Sequence, residues 1–195
     1  IETVSAQYFG RNRPIYKRFD FKVYKSPNFE IYHYFENDSI VEQLAQASEQ
    51  WYHMHQQVFR DTIRDRNPMI FYANHADFQQ TTAIFGTVGV GTGGVTEAFK
   101  NRVVMPVTET WAQTDHVLGH ELVHAFQFNA ILNRDSTNLN NLRNLPLWMI
   151  EGMAEYLSIG SIDPHTAMWM RDAVLNNNFP TLQKMTRDQS YFPYR

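Results

Sequence analysis

The sequence predicts an α+β fold: a mixed sheet lobe with an edge strand, laid over a helix and followed by a helical region. Three observations predict it. Apolar residues alternate with polar ones early in the chain, recur at steps of three and four in the middle, and fill a third segment bracketed by Pro146 and Gly160.

Taken in order, Phe19, Phe21 and Val23 alternate with Asp20 and Lys22, while Phe29, Ile31, His33 and Phe35 alternate with Glu30, Tyr32, Tyr34 and Glu36. Both stretches are expected as strands. The six Lys and Arg between Arg11 and Lys25 read as solvated strand faces. From Ser39 the period changes, and Ile40, Leu44, Ala47, Trp51, Met54 and Val58 mark one face of an amphipathic helix opened by a Ser39/Glu42 capping box. Residues 69–72 follow Pro68 and read as a buried strand. The uncharged stretch 78–96 holds five of the nine Gly and is expected as a loop. Val103, Val104, Met105 and Val107 form another strand, placed at a sheet edge or bulge because Pro106 has no N–H for a central ladder. Thr110 and Gln113 give a second capping box before a helix over 111–128. Residues 133–144 carry five Asn and are expected as a loop. Pro146 suits a first helical turn and Gly160 a C-cap, and a further helix is expected over 165–175.

Composition narrows the function classes. A chain of 195 residues and 22.9 kDa is about one domain. Lys and Arg number 17 against 20 Asp and Glu, a formal charge of −3, so no nucleic-acid partner is expected. Without Cys there is no disulfide, thiolate zinc site, iron-sulfur ligation or cysteine nucleophile. No run approaches the roughly 20 apolar residues of a membrane span. A Gly-x-Ser-x-Gly elbow is also missing.

The chemistry concentrates at His120-Glu121-Leu122-Val123-His124, an H-E-x-x-H pattern. On a helix the two His share a face, with Cβ atoms about 5 to 6 Å apart, close enough to bind one ion. Glu121 leans toward the open side of that ion, where it can take a proton from a metal-activated water. With eight His in the chain, the pattern arises by chance in roughly 1 to 2% of such compositions, and chance does not supply the capped helix around it. Gly119, just before the first His, is a poor helix former, which fits close approach of another backbone or plain packing. A catalytic zinc site needs a third protein ligand. Gln127 and Ala130 occupy the positions where the H-x-x-G-x-x-H extension would place Gly and His, so that variant is excluded. The downstream carboxylates are Asp135, Glu151, Glu155, Asp163, Asp172 and Asp188. Glu151 and Glu155 are like charges four apart on an otherwise apolar helix, an arrangement that asks for a positive partner. Glu151 is therefore expected as the third ligand, with Glu155 behind it, accepting a hydrogen bond from a ligand His.

These residues, together with Trp148-Met149-Ile150-Glu151-Gly152-Met153-Ala154-Glu155-Tyr156, resemble the gluzincin zinc metallopeptidases, the clan of thermolysin and the alanyl-aminopeptidase-like enzymes. The resemblance implies zinc held by His120, His124 and Glu151, Glu121 as general base, and Glu155 supporting a ligand. It covers about 40 residues, and the spacing from His124 to Glu151 exceeds that of the better-known members. The run Phe9-Gly10-x-Asn12 to Phe19-Asp20-Phe21, then Phe29-Glu30-Ile31-Tyr32, is similar to peptidase-like domains preceding TolB-type β-propellers in bacterial extracytoplasmic proteins. That implies a periplasmic or secreted protein continuing into a propeller.

Two competing signals fail on context. Gly89-Val90-Gly91-Thr92-Gly93-Gly94 matches G-x-G-x-x-G, but a strand at Val103 follows where a nucleotide site needs a helix. A loop near the substrate cleft is expected there. His53 and His55 point about 200° apart on a helix and cannot share an ion. His75 and Asp77 read as loop polarity, and His116 as a helix-surface residue. The expected whole is one metallopeptidase-like domain over 1–195, with an α+β lobe in 1–130 and the start of a helical lobe in 131–195. Its expected function is peptide-bond hydrolysis on a peptide or protein substrate held as an added strand at the Val103 edge. The alternative is a non-catalytic, zinc-stabilised interaction module, against which an intact Glu121 argues. The Tyr or His that stabilises an oxyanion is unassigned, with Tyr191 and Tyr194 near the end of the chain.

Overall fold

In the computed structural model, which describes residues 15–134 and 145–187, the first alternating stretches become a hairpin. Strand β1 (Lys22–Lys25) pairs antiparallel with β2 (Phe29–His33). The first strand begins three residues later than its alternation predicts. Phe19 and Phe21 pack their rings on Tyr34 and Tyr72, at centroid distances of 4.9 Å for Phe19–Tyr34 and 5.7 Å for Phe21–Tyr72. Period two there records an aromatic cluster and not a ladder. The expected solvated face holds along β1, which is exposed throughout.

Helix α1 (Asp38–Phe59) leads from β2 to β3 (Asn67–Tyr72), which lies parallel to β2. The capping box expected at Ser39 is not the start: Asn37 is the N-cap, and its side chain accepts from the Ser39 N–H at 3.0 Å. The buried face is also rotated from the predicted one. Leu44 and Ala47 are on it, but Val41, Ala45, Ser48, Tyr52 and His55 complete it, while Ile40, Met54 and Val58 are exposed. Ser48 and His55 escape a hydropathy pattern because Ser48 Oγ is buried against Leu44 O and His55 Nε2 against Gly119 O.

After β3 come a short helix α2 (His75–Phe78), β4 (Val95–Glu97), β5 (Arg102–Pro106) and the long helix α3 (Trp111–Arg134). The sheet order is β1-β2-β3-β5-β4, with β3 and β5 parallel and β4 and β5 antiparallel. The sheet is mixed, as expected. The strand containing Pro106 is not an edge, however, because β4 covers it. Pro106 is tolerated because β4 pairs only with Arg102, Val103 and Val104, so the missing N–H falls beyond the ladder on that side. One sheet face buries Phe29, Ile31, Met69, Phe71, Val103 and Met105 against α1 and α3. Each such side chain contributes about 1.5–3 kcal/mol of burial and fixes α3 beneath the sheet.

Among the described residues three helices follow: α4 (Leu147–Ile159), α5 (Pro164–Leu175) and α6 (Leu182–Arg187). Pro146 and Gly160 bracket α4 as predicted, with Gly160 at φ 93°, and α4 packs on α3. Of the Asn-rich loop expected over 133–144, Asn133 and Arg134 instead belong to α3, which runs six residues past its expected end at 128; the remainder, with Phe9, Gly10, Asn12, Asp188, Tyr191 and Tyr194, lies outside the described residues.

Candidate metal centre

Helix α3 opens where Thr110 Oγ1 accepts from the Gln113 N–H at 3.3 Å. Fully buried Leu118, Leu122, Ala125 and Phe126 anchor it against the core. That fixes the opposite stripe, His116, His120 and His124, toward α4. Both His of the pattern are buried, at 8% and 7% exposure. From α4, Glu151 Oε2 lies 3.2 Å from His120 Nε2 and 3.2 Å from His124 Nε2, and the two Nε2 atoms are 3.1 Å apart. These three atoms form a nearly equilateral triangle. Ligands at about 2.0 to 2.1 Å from a tetrahedral ion are about 3.3 to 3.4 Å from one another, so the donor set fits one metal ion.

The neighbours of each ring determine which nitrogen faces the triangle. His124 Nδ1 is 2.9 Å from Gln127 Oε1, while Gln127 Nε2 donates to the Ile150 carbonyl at 3.1 Å. With its amide nitrogen committed to α4, Gln127 offers only an acceptor to the ring. In its neutral form His124 therefore carries its proton on Nδ1 and presents the Nε2 lone pair inward, as a ligand must. His120 Nδ1 sits 3.2 Å from Glu155 Oε1, which orients that ring the same way. Glu155 Oε2 is 3.6 Å from His116 Nε2, so His116 belongs to the site's surroundings, contrary to the surface role expected for it.

Electrostatics express the same demand for positive charge. Burial lowers the His120 pKa, but the adjoining Glu151 and Glu155 carboxylates outweigh it and raise the ring to about 9. His124 is likewise raised against burial, by Glu151 and then Glu121. Burial raises Glu151, yet hydrogen bonds from His120 and His124 hold it down at about 2.

Glu121, 5% exposed, faces the sheet edge. Thr96 of β4 donates from Oγ1 to Glu121 Oε2 at 2.6 Å. Gly94 passes so near that a Cβ there would lie 2.8 Å from Glu121 Cγ and Oε1. Gln127, Thr96 and Gly94 are parts of the site that the sequence patterns do not single out. Gln127 was detectable as the residue three positions after His124 on the same helix face; β4 is too short to show a period. Gly119 does make a close approach, but to a side chain: a Cβ would lie 2.8 to 2.9 Å from the Trp51 indole. His75 and Asp77 lie in α2 and not in a loop. Asp77 is buried and accepts from Tyr34 Oη at 2.6 Å and Lys17 Nζ at 3.0 Å. A cleft of about 610 Å³ between α4, α5 and α6, lined by Trp148, Tyr156 and Ile162 among others, meets the site only at Glu155.

Fold and site together define an α+β protein whose H-E-x-x-H helix, with a carboxylate from the next helix, forms a centre able to hold a metal ion. The chain matches the BSP family, described as Peptidase of plants and bacteria, over residues 31–178, and belongs to that family. The match includes every residue of the centre. No curated protein and no solved structure matches the chain.

Proposed function

We propose that the chain is a zinc-dependent peptidase of gluzincin type with Glu121 as general base. The observation that carries this reading is the convergence of His120 Nε2, His124 Nε2 and Glu151 Oε2 within 3.1 to 3.2 Å of one another beside buried Glu121. The family's description as a peptidase supports it.

His120 and His124 would hold the ion through Nε2 and Glu151 through its carboxylate, a His₂Glu set that is one of the catalytic zinc patterns. Zinc, when bound, polarises the scissile carbonyl and acidifies the attacking water. Glu121 accepts the proton from that water and delivers it to the leaving amine nitrogen. Gln127 and Glu155 keep the two rings in the ligating orientation. Among the described residues β4 is the sheet's terminal strand and pairs only with β5, so an extended substrate adds to β4 and not to the Val103 strand expected from sequence. On the resemblance of its N-terminal run, we also place the protein outside the cytoplasm, ahead of a TolB-type propeller; fractionation of cells expressing the full-length precursor tests this.

Glu121→Gln is the direct test. It should keep one zinc per chain and lose about 10²- to 10⁴-fold of the cleavage of an unfolded protein substrate. A full-length wild type that holds zinc and cleaves nothing would instead make the chain a zinc-stabilised interaction module.

A further inference from the structure

The glycine-rich stretch, which nucleotide binding does not explain, has a place in the structure. His75 Nε2 lies 3.2 Å from Thr92 O and ties the stretch to α2. Gly93 follows, where a Cβ would meet Val117 Cγ2 at 3.3 Å, then Gly94 with its approach to Glu121. The chain thus runs directly along α3 before entering β4. The second residue of β4, Thr96, places its hydroxyl oxygen 2.6 Å from Glu121 Oε2 and 2.9 Å from the Glu121 carbonyl oxygen. A hydroxyl has one proton. The shorter distance falls in the range of charge-assisted O–H···O⁻ bonds, so the carboxylate receives it.

We propose that Thr96 is the positioning residue of Glu121: by engaging Oε2 it fixes the carboxylate and leaves Oε1 as the oxygen that takes the proton. The inference rests on the peptidase reading above. A glutamate side chain is rich in rotamers and must otherwise find the productive one at each turnover. Thr96 is suited to hold it because its own place is fixed by the ladder, where it pairs with Val103 of β5.

The test compares zinc-loaded full-length wild type, Thr96→Val, Thr96→Ser and Glu121→Gln, with Thr96→Val also combined with Glu121→Gln. Valine keeps the branched shape and the strand but removes the donor. Thr96→Val should lower kcat by about 10- to 100-fold with KM within about twofold and zinc content unchanged. Thr96→Ser should recover kcat to within about threefold, and Thr96→Val should cost nothing more once Glu121 is Gln. Wild-type kcat in Thr96→Val, no recovery in Thr96→Ser, or an undiminished loss in the combined variant would each overturn the inference. If the wild type itself cleaves nothing, the peptidase reading fails, and crystal structures of wild type and Thr96→Val decide the positioning role. A Glu121 carboxylate displaced by about 1 Å or more in the variant supports it, and a superposable one overturns it.

Discussion

Replacing Gly119 by Ala sets two known quantities against each other. In an exposed helix interior the change stabilises by about 1 kcal/mol. Here the new Cβ would lie 2.8 to 2.9 Å from Cε2, Cδ2 and Cζ2 of Trp51. Carbon atoms rest at about 3.5 to 4.0 Å, so α1 and α3 must separate locally by some tenths of an ångström to about 1 Å. The indole has little room to yield. Its Nε1–H donates to Asp115 Oδ1 at 3.0 Å, and its ring stacks on His55 with centroids 5.4 Å apart. Overpacking of this kind costs roughly 1 to 3 kcal/mol. Separation also stretches the 3.0 Å contact from His55 Nε2 to the Gly119 carbonyl, worth about 1 kcal/mol. The net expectation is a loss of roughly 1 to 3 kcal/mol, read as a lower urea midpoint with an unchanged slope. In a Trp51→Ala background the obstructing atoms are gone, and the same substitution should stabilise by about 1 kcal/mol. A Gly119→Ala protein as stable as wild type, or an equal cost in both backgrounds, would refute the reasoning.

Two further predictions concern the centre. Glu155→Ala removes the carboxylate 3.2 Å from His120 Nδ1 and should weaken zinc binding about 10- to 100-fold in a chelator competition; unchanged affinity would remove Glu155 from the site. In protein stripped of metal, stability should depend on pH through one ionic cluster, in which Glu151 faces both His120 and His124 and Glu155 faces His120. His120 is raised to about 9, so its contribution is complete below pH 6.5 and is lost as pH rises through 9. Glu151 is lowered to about 2, so its contribution is present above pH 4.5 and is lost as pH falls through 2. Because the two shifts share the His120–Glu151 contact, they are not added. The stripped protein should lose up to about 3 kcal/mol between pH 6 and 10, seen as a falling melting temperature, and a flat profile would contradict the prediction.

Much of the centre is legible in the amino-acid sequence, for a physical reason. His120, Glu121 and His124 sit on one helix, where spacing alone fixes relative direction, and Pro146 and Gly160 delimit the helix that carries Glu151 and Glu155. What is not legible depends on contacts between elements distant in the chain. Nothing local tells that Gln127 bridges α3 to the Ile150 carbonyl. The buried face of α1 differs from its hydropathy pattern because exposed Ile40, Met54 and Val58 look apolar while buried Ser48 and His55 look polar. The sheet edge is displaced from its expected place for a related reason: Pro106 correctly signals a missing ladder partner, but three-residue β4 supplies pairing up to Val104 and stops short of it.

The site's parts also separate by the element that holds them. His120 and His124 owe their orientation to α4, through Glu155 and through the Gln127 link to Ile150. Glu121 shares their helix, but its hydroxyl donor comes from β4 and the close backbone above it from Gly94. On the proposed function, a disturbance that loosens α4 should therefore act on ion affinity, whereas one confined to the stretch from Thr92 to Thr96 should act on proton transfer with the ion still held. Because α3 is anchored in the core by Leu118, Leu122 and Phe126, neither disturbance need pass to the other through the helix itself. The physical separation of the two supports makes the difference between metal content and turnover number informative about which side of α3 a substitution has reached.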